Sequence, residues 1–339
     1  MHPSRPPEIL LAHGSGGRLT HELVRSLFVR LLDNPALSPL EDAACLAVGA
    51  SRIAFTTDSF VVSPVFFPGG DLGKLAVCGT VNDLAVMGAR PIALSAGFLL
   101  EEGLSIERLE RLVLSMRGVC DEVGVAIVTG DTKVVERGGL DQVFVNTAGV
   151  GLLDGPLPEG AGAVRPGDRI LVSGPIADHG MAVLSARNDL RFDTPIESDC
   201  APLWPVIEHL LEGSRGIRWM RDPTRGGVAT TLNELVAGRP FGIELVETEI
   251  PIRPSVAALA EILGIDPLYV ACEGRVLIAV AAEHADAALV RLREHRLGLG
   301  SESIGEVLAD PPGRLTLRTR GGGRRVLDLL SGEQLPRIC

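Results

Sequence analysis

FFPGGDLGKLAVCGTVNDLAVMGA, residues 66–89, decides how the first half of this chain reads. Apolar positions recur at helical spacing over 72–87, and strand-like runs flank that stretch at 52–57 and 92–99. A carboxylate, Asp83, stands beside Asn82 toward the end of the apolar run. Working outward, 125–129 and 142–152 read as strands and 105–123 as a second helix. Residues 154–168 (DGPLPEGAGAVRPGD) carry Gly and Pro throughout without periodicity, which marks a linker. Beyond it, strand-like runs at 169–173, 217–220, 242–246, 276–281 and 302–308 alternate with helical stretches near 179–187, 202–212, 226–237, 255–263 and 283–295. Residues 313–325 suggest a hairpin, and from 331 onward there is too little apolar periodicity to pack. The expectation is a two-domain α/β (α+β) protein: an N-terminal arm (1–40), a mixed-sheet domain (41–155), an α/β domain (165–330) and a free tail (331–339).

The net charge of -11 and the lack of any Lys/Arg cluster argue against a nucleic-acid partner. No apolar run approaches a membrane span and no signal-peptide core is visible, so a cytoplasmic enzyme is expected. Cys45, Cys78, Cys120, Cys200, Cys272 and Cys339 are widely spaced with no C-x-x-C pair, so neither zinc nor a disulfide framework is indicated. The first five read as buried structural thiols. Cys339 is different, because it ends the chain behind Pro336, Arg337 and Ile338, where a tethered thiol could visit a site. A prenylation signal is excluded, since that needs Cys fourth from the end.

Five stretches place a carboxylate beside small residues at the end of an apolar run: 41–44, 56–59, 82–84, 130–133 and 221–227. Singly, each reads as a cap or turn. Together they fit a nucleotide site without a P-loop, because Mg²⁺ prefers a few carboxylates plus substrate phosphates and water. Lys74, Lys133 and Arg225 could balance phosphate charge. The run 69–75 (GGDLGKL) fails as a Walker A loop on glycine spacing and on Leu75 where Ser or Thr would hold metal. HGSGG at 13–17 is not a dinucleotide fingerprint, yet Gly14, Gly16 and Gly17 offer backbone N–H groups able to close over phosphate. Its plainer reading is a disordered arm.

HGSGG, TTDSF at 56–60, the opening stretch 66–89, GDTKVV at 130–135, SGPIADHGMAVL at 173–184, RDPTRGGVAT at 221–230, CEGR at 272–275 and the terminal PRIC closely resemble the HypE family of hydrogenase maturation proteins, within the PurM-like ATP-binding superfamily. The resemblance runs through nearly the whole chain in order. It implies a homodimer paired through the sheets of the N-terminal domains, with ATP near that interface and an α/β domain behind. Asp42, Asp58, Asp83 and Asp222 fall where the superfamily places metal and phosphate ligands. Gly14, Gly16, Gly17, Lys74, Asn82, Asp83, Asp131, Thr132 and Arg225 are the expected nucleotide contacts, and Lys133, Glu273 and Cys339 the catalytic candidates. The partners implied are a HypF-like carbamoyltransferase that loads Cys339 and a HypC–HypD scaffold that receives cyanide. One departure stands out: the family more commonly reads Asn-Glu-Gly-Lys where this chain has Cys272, Glu273, Gly274 and Arg275.

Dehydrating a primary amide means expelling its oxygen, which ATP makes possible by turning that oxygen into phosphate. Glu273 is the expected base for the N–H protons, against the alternative of a loop acid paired with Arg275. The rivals are another PurM-like enzyme, of selenophosphate or aminoimidazole ribonucleotide synthetase type, and a non-catalytic thiol carrier. A selenophosphate synthetase would want a reactive Cys or selenocysteine in residues 13–18, and neither synthetase needs Cys339.

Overall fold

The computed structural model describes residues 8–14, 16–32, 34–188, 196–330 and 338. The N-terminal arm is helical over much of its described length: α1 (Arg18–Leu23) runs through a wider-wound stretch (Val24–Val29) into α2 (Arg30–Leu32). It docks on the distant half of the chain, with the Arg18 N–H donating to the Leu330 carbonyl at 3.1 Å and His21 meeting Glu234 at 3.0 Å. β1 (Ala44–Val48) and β2 (Ser51–Phe60) then form a hairpin, and a short pair, β3 (Phe66–Phe67) and β4 (Gly70–Asp71), leads into α3 (Leu72–Val86). β5 (Arg90–Glu101), α4 (Ile106–Val123), β6 (Ile127–Val135) and β7 (Val143–Leu152) complete a five-stranded sheet of order β1-β2-β7-β5-β6.

α3 is nearly apolar all round, so it can only be a buried helix. It lies between this sheet, α4 and the second domain. Asp71 starts it by accepting the Lys74 N–H at 3.0 Å, a cap worth about 1 kcal/mol. One face of the sheet packs on α3. The other leaves Leu46, Val48, Phe55 and Leu99 between 38% and 55% exposed. Among the described residues nothing covers that apolar face.

The second domain is a seven-stranded sheet of order β14-β13-β10-β12-β8-β11-β9. Its elements follow one another as β8 (Arg169–Val172), α5 (Asp178–Arg187), α6 (Trp204–Gly213), β9 (Ile217–Arg221), α7 (Gly227–Val236), β10 (Gly242–Val246), α8 (Pro254–Leu263), β11 (Leu277–Val280), α9 (Ala285–Arg293), β12 (Glu302–Leu308), β13 (Leu315–Arg318) and β14 (Arg324–Leu327). The unbroken apolar runs of β8 and β11 reflect burial on both faces. Leu171, Ile278 and Val280 point to a core shared with α3, α6 and α9, while Ile170, Val172, Leu277 and Ala279 point to one built on α7 and α8. The two domains thus share a hydrophobic core instead of meeting across a loose seam. Ile338 belongs to that shared core at 5% exposure, so the tail expected to be free is anchored at this residue; 331–337 and Cys339 lie outside the described residues.

Asn82 fastens the domains together from inside α3. Its Nδ2 donates to the carbonyls of Ala201 (3.1 Å) and Glu273 (3.2 Å), and its Oδ1 accepts the Leu203 N–H at 2.7 Å. Asn82→Leu leaves those backbone groups in a dry interior and should cost about 2–4 kcal/mol, read as a lower urea midpoint. A midpoint unchanged from the parent chain would show that the three bonds hold nothing together.

Candidate active site

Three of the predicted stations converge. Asp42 precedes β1, Asp83 lies on α3 and Asp222 follows β9, and one carboxylate oxygen from each falls within 4.8 Å of the others. The strand alternation of β2 turns Thr56 and Asp58 inward toward α3. Thr56 Oγ1 sits 2.7 Å from Asp83 Oδ2 and 2.9 Å from the Asp42 carbonyl. Asp42 Oδ2 and Asp222 Oδ2 are buried without a hydrogen-bond partner.

Burying like charges together has a direct consequence for their protonation. Burial raises Asp42 to about 6, with Arg221 pulling the other way through a 2.9 Å contact. Burial, then Asp42, raises Asp222 to about 8. Asp83 is pushed well above the usual carboxylate range by burial and by its neighbours Asp222, Asp42 and Asp58. Three converging carboxylates, two of them with an unpartnered oxygen, suit a hard divalent cation, which would replace the protons.

Asp58, expected as a fourth ligand, stands beside the triad. It is raised by burial, accepts the Ser59 N–H at 2.9 Å and faces Arg225 at 3.4 Å. Arg225 also packs on the N-terminal loop, where a Cβ at Gly16 (φ +78°) would come within 2.9 Å of the Arg225 Cβ. Gly17 caps α1, and the Gly16 N–H is taken by Thr20 Oγ1 at 3.0 Å. Gly14 ends a single helical turn with open space around it. Of the three glycines, Gly16 is the one the structure brings against a predicted phosphate contact.

The remaining expected contacts lie as follows. Asn82, expected as a nucleotide contact, spends its amide on backbone, as described above. Lys74 Nζ folds onto the Gly69 carbonyl at 2.9 Å. Asp131, Thr132 and Lys133 lie within β6, not at its end, on an exposed sheet edge. Lys133 pairs with Asp131 at 2.7 Å and lowers its pKa. Asp131 and Thr132 border a cavity of about 930 Å³ between α4 and β6. Cys45 is exposed, unlike Cys78, Cys120, Cys200 and Cys272.

Glu273 is 1% exposed, and its Oε1 has no hydrogen-bond partner. Burial, then Cys200, Asp222, Asp199 and Asp58, pushes it well above its ordinary pKa. Its pairing with Arg275 does not occur: Arg275 binds the Pro175 carbonyl at 2.7 Å and faces Asp199 and Asp178. Gly274 is obligatory, since a Cβ there would meet the Asp199 carbonyl oxygen at 1.8 Å. Arg221, Asp199, His179 and Ser198 also shape this region without having been assigned a role from sequence. Arg221 and His179 lie inside motifs already noted, but nothing local to them signals whom they touch.

The AIR synthase related N-terminal domain family matches residues 40–153, and its C-terminal counterpart matches 165–318. A carbamoyl dehydratase HypE from Cupriavidus necator is 51% identical over 331 residues, covering 97% of this chain and 94% of its own. The chain belongs to the HypE family of carbamoyl dehydratases. A HypE solved in a HypE–HypF complex superposes with a TM-score of 0.85 at 45% identity, covering 91% of this chain and 99% of that one. A hydrogenase maturation protein HypE solved with ATP gives 0.82 at 48%, covering 98% and 100%.

Asp222 has a carboxyl near 8 in the fold against 3.8 as a free side chain, so the folded chain holds the extra proton between those values. That contribution to stability is full below the lower value and is lost as pH rises through the upper one. Between about pH 6 and about pH 8.5 the metal-free chain should lose several degrees more of Tm than Asp222→Asn, with Mg²⁺ closing the gap. Parallel melting curves for the two proteins would contradict the charge crowding.

Proposed function

We propose that this chain binds Mg-ATP at the Asp42, Asp83 and Asp222 cluster and uses it to dehydrate an S-carbamoyl group on Cys339 to a thiocyanate. The observation that carries the reading is three charge-crowded carboxylates, two of them with an oxygen buried without a hydrogen-bond partner, together with a buried Glu273 that feels the charge of Asp222. Support for ATP comes from the HypE relative solved with it, and support for a HypF-like carbamoyltransferase from the HypE–HypF complex. Mg²⁺ would be held by Asp42, Asp83 and Asp222 and would neutralise phosphate charge there.

The chemistry balances without a redox partner. The carbamoyl oxygen attacks the γ-phosphorus and ADP leaves; loss of phosphate with both N–H protons then gives S–C≡N. The chain's own share is positioning and proton transfer. Glu273 accepts an N–H proton, and its raised pKa makes it a stronger base than a surface carboxylate. Arg225, beside Asp58 and the Gly16 loop, faces the phosphates. Cyanide would pass onward to iron on a HypC–HypD scaffold.

The bare apolar face of the five-stranded sheet favours a homodimer, and the 130–133 station lies on the edge strand of that same sheet. Pairing there would place Lys133 and Asp131 at an interface instead of in solvent. Sedimentation should give about twice the 35.8 kDa chain mass, and Leu99→Asp should shift it toward one. A parent chain that sediments as a monomer while turning over ATP would remove the interface from this reading.

Intact mass tests the chemistry. Glu273→Gln should accept the carbamoyl group and then retain its water when ATP is added, slowed at least about 100-fold. Asp83→Asn should lose Mg-ATP affinity by about tenfold or more while remaining folded. Wild-type dehydration by Glu273→Gln would remove that residue from the role of base.

A further inference from the structure

Ile338 is held by a histidine that the reaction above does not use. His179 is fully buried on α5, and its Nε2 lies 2.9 Å from the Ile338 carbonyl oxygen. A carbonyl only accepts, so Nε2 carries the ring proton. Burial keeps the ring's pKa below its ordinary value, leaving it neutral, so Nδ1 accepts from Ser198 Oγ at 2.8 Å. Ser198 Oγ then accepts the Cys200 N–H at 3.0 Å. Every hydrogen along this relay has one direction, and the ring is fixed a second time by an edge-on contact with Phe67, centroid to centroid 5.4 Å.

The same loop holds Glu273. Asp199 Oδ1 accepts the Glu273 N–H at 3.1 Å, and the Ala201 N–H reaches the Glu273 carbonyl at 3.4 Å. The Ile338 side chain sits in the core cluster that contains Phe67 and Cys200. The carbonyl that His179 grips belongs to the peptide group joining Cys339.

We propose that His179, oriented by Ser198, is a positioning residue for the proposed dehydration: it clamps the penultimate carbonyl of the tail to the 198–201 loop that holds Glu273, so that the modified terminal thiol is presented to its base. The inference rests on the dehydratase reading, since positioning matters only if the reaction occurs on the tail. Loading of Cys339 by a carbamoyltransferase needs the tail released, so the clamp should affect dehydration and leave loading alone.

The test uses the full chain, carbamoylated by its carbamoyltransferase, with water loss after ATP followed by intact mass. In the uncarbamoylated chain, iodoacetamide labelling of Cys339 is read on the C-terminal peptide. His179→Ala should be carbamoylated to the wild-type extent, lose water about tenfold more slowly and label several-fold faster. His179→Gln, which keeps a side-chain N–H, should recover part of both losses. Ile338→Gly empties the socket from the chain's end without touching the histidine, so a folding defect cannot account for the same pair of changes there. Wild-type dehydration and labelling rates in both His179→Ala and Ile338→Gly would overturn the clamp. A wild-type chain that never loses water would instead sink the dehydratase reading, while the labelling rates would still report on the clamp.

Discussion

Three carboxylates buried within reach of one another cannot all ionise without a cation, and the rest of the site is arranged around that constraint. Asp42 is partly relieved by Arg221, which is itself held by Glu234 at 3.1 Å, and Glu234 in turn meets His21 of the arm. Asp58 is relieved by Arg225. Among the described residues no ion pair is made by Asp83 or Asp222, although Arg221 lowers Asp222 from a distance, and these two are pushed up hardest of the four. A fold that kept such a cluster for stability alone would be working against itself, since apolar residues of the same size would pack there without the desolvation cost. Charge crowding of this kind belongs to ligand sites.

A second constraint ties the acids to the base. α3 carries Asp83 toward the cluster and, one residue before it, Asn82 toward the 199–203 loop and Glu273. Adjacent helix positions point about 100° apart, so one turn of one helix serves both the nucleotide side and the proton-transfer side. The two domains meet in a common core at this point, which makes the spacing between metal cluster and Glu273 a property of packing and not of a hinge.

Much of this was legible in sequence because it is periodic. The all-apolar face of α3, the unbroken runs of β8 and β11 and the Gly-Pro linker each follow from local residue choice. The acidic stations could be found for the same reason, as Asp next to small residues at element ends. What could not be read was which stations meet. Asp58 and Asp42 look alike in sequence, yet strand register and the reach of Arg221 and Arg225 separate them. Asn82 looked like a ligand because it adjoins Asp83, and only the tertiary fold shows that its amide is consumed by backbone. β1 was missed since its outward face is exposed and short, and the helical arm since its apolar residues have no core to face within their own segment. Ile338 in a tail without periodicity gave no sign of docking; one side chain in a socket leaves no pattern.

The central claim is that the buried aspartates are a divalent-cation site for the nucleotide. Crystals of the full chain grown with Mn²⁺ and a non-hydrolysable ATP analogue, measured at the manganese absorption edge, test it most directly. The account predicts an anomalous peak bounded by the carboxylates of Asp42, Asp83 and Asp222, lost in Asp83→Asn. A bound analogue with manganese elsewhere, and with those three carboxylates still facing one another without it, would contradict the account.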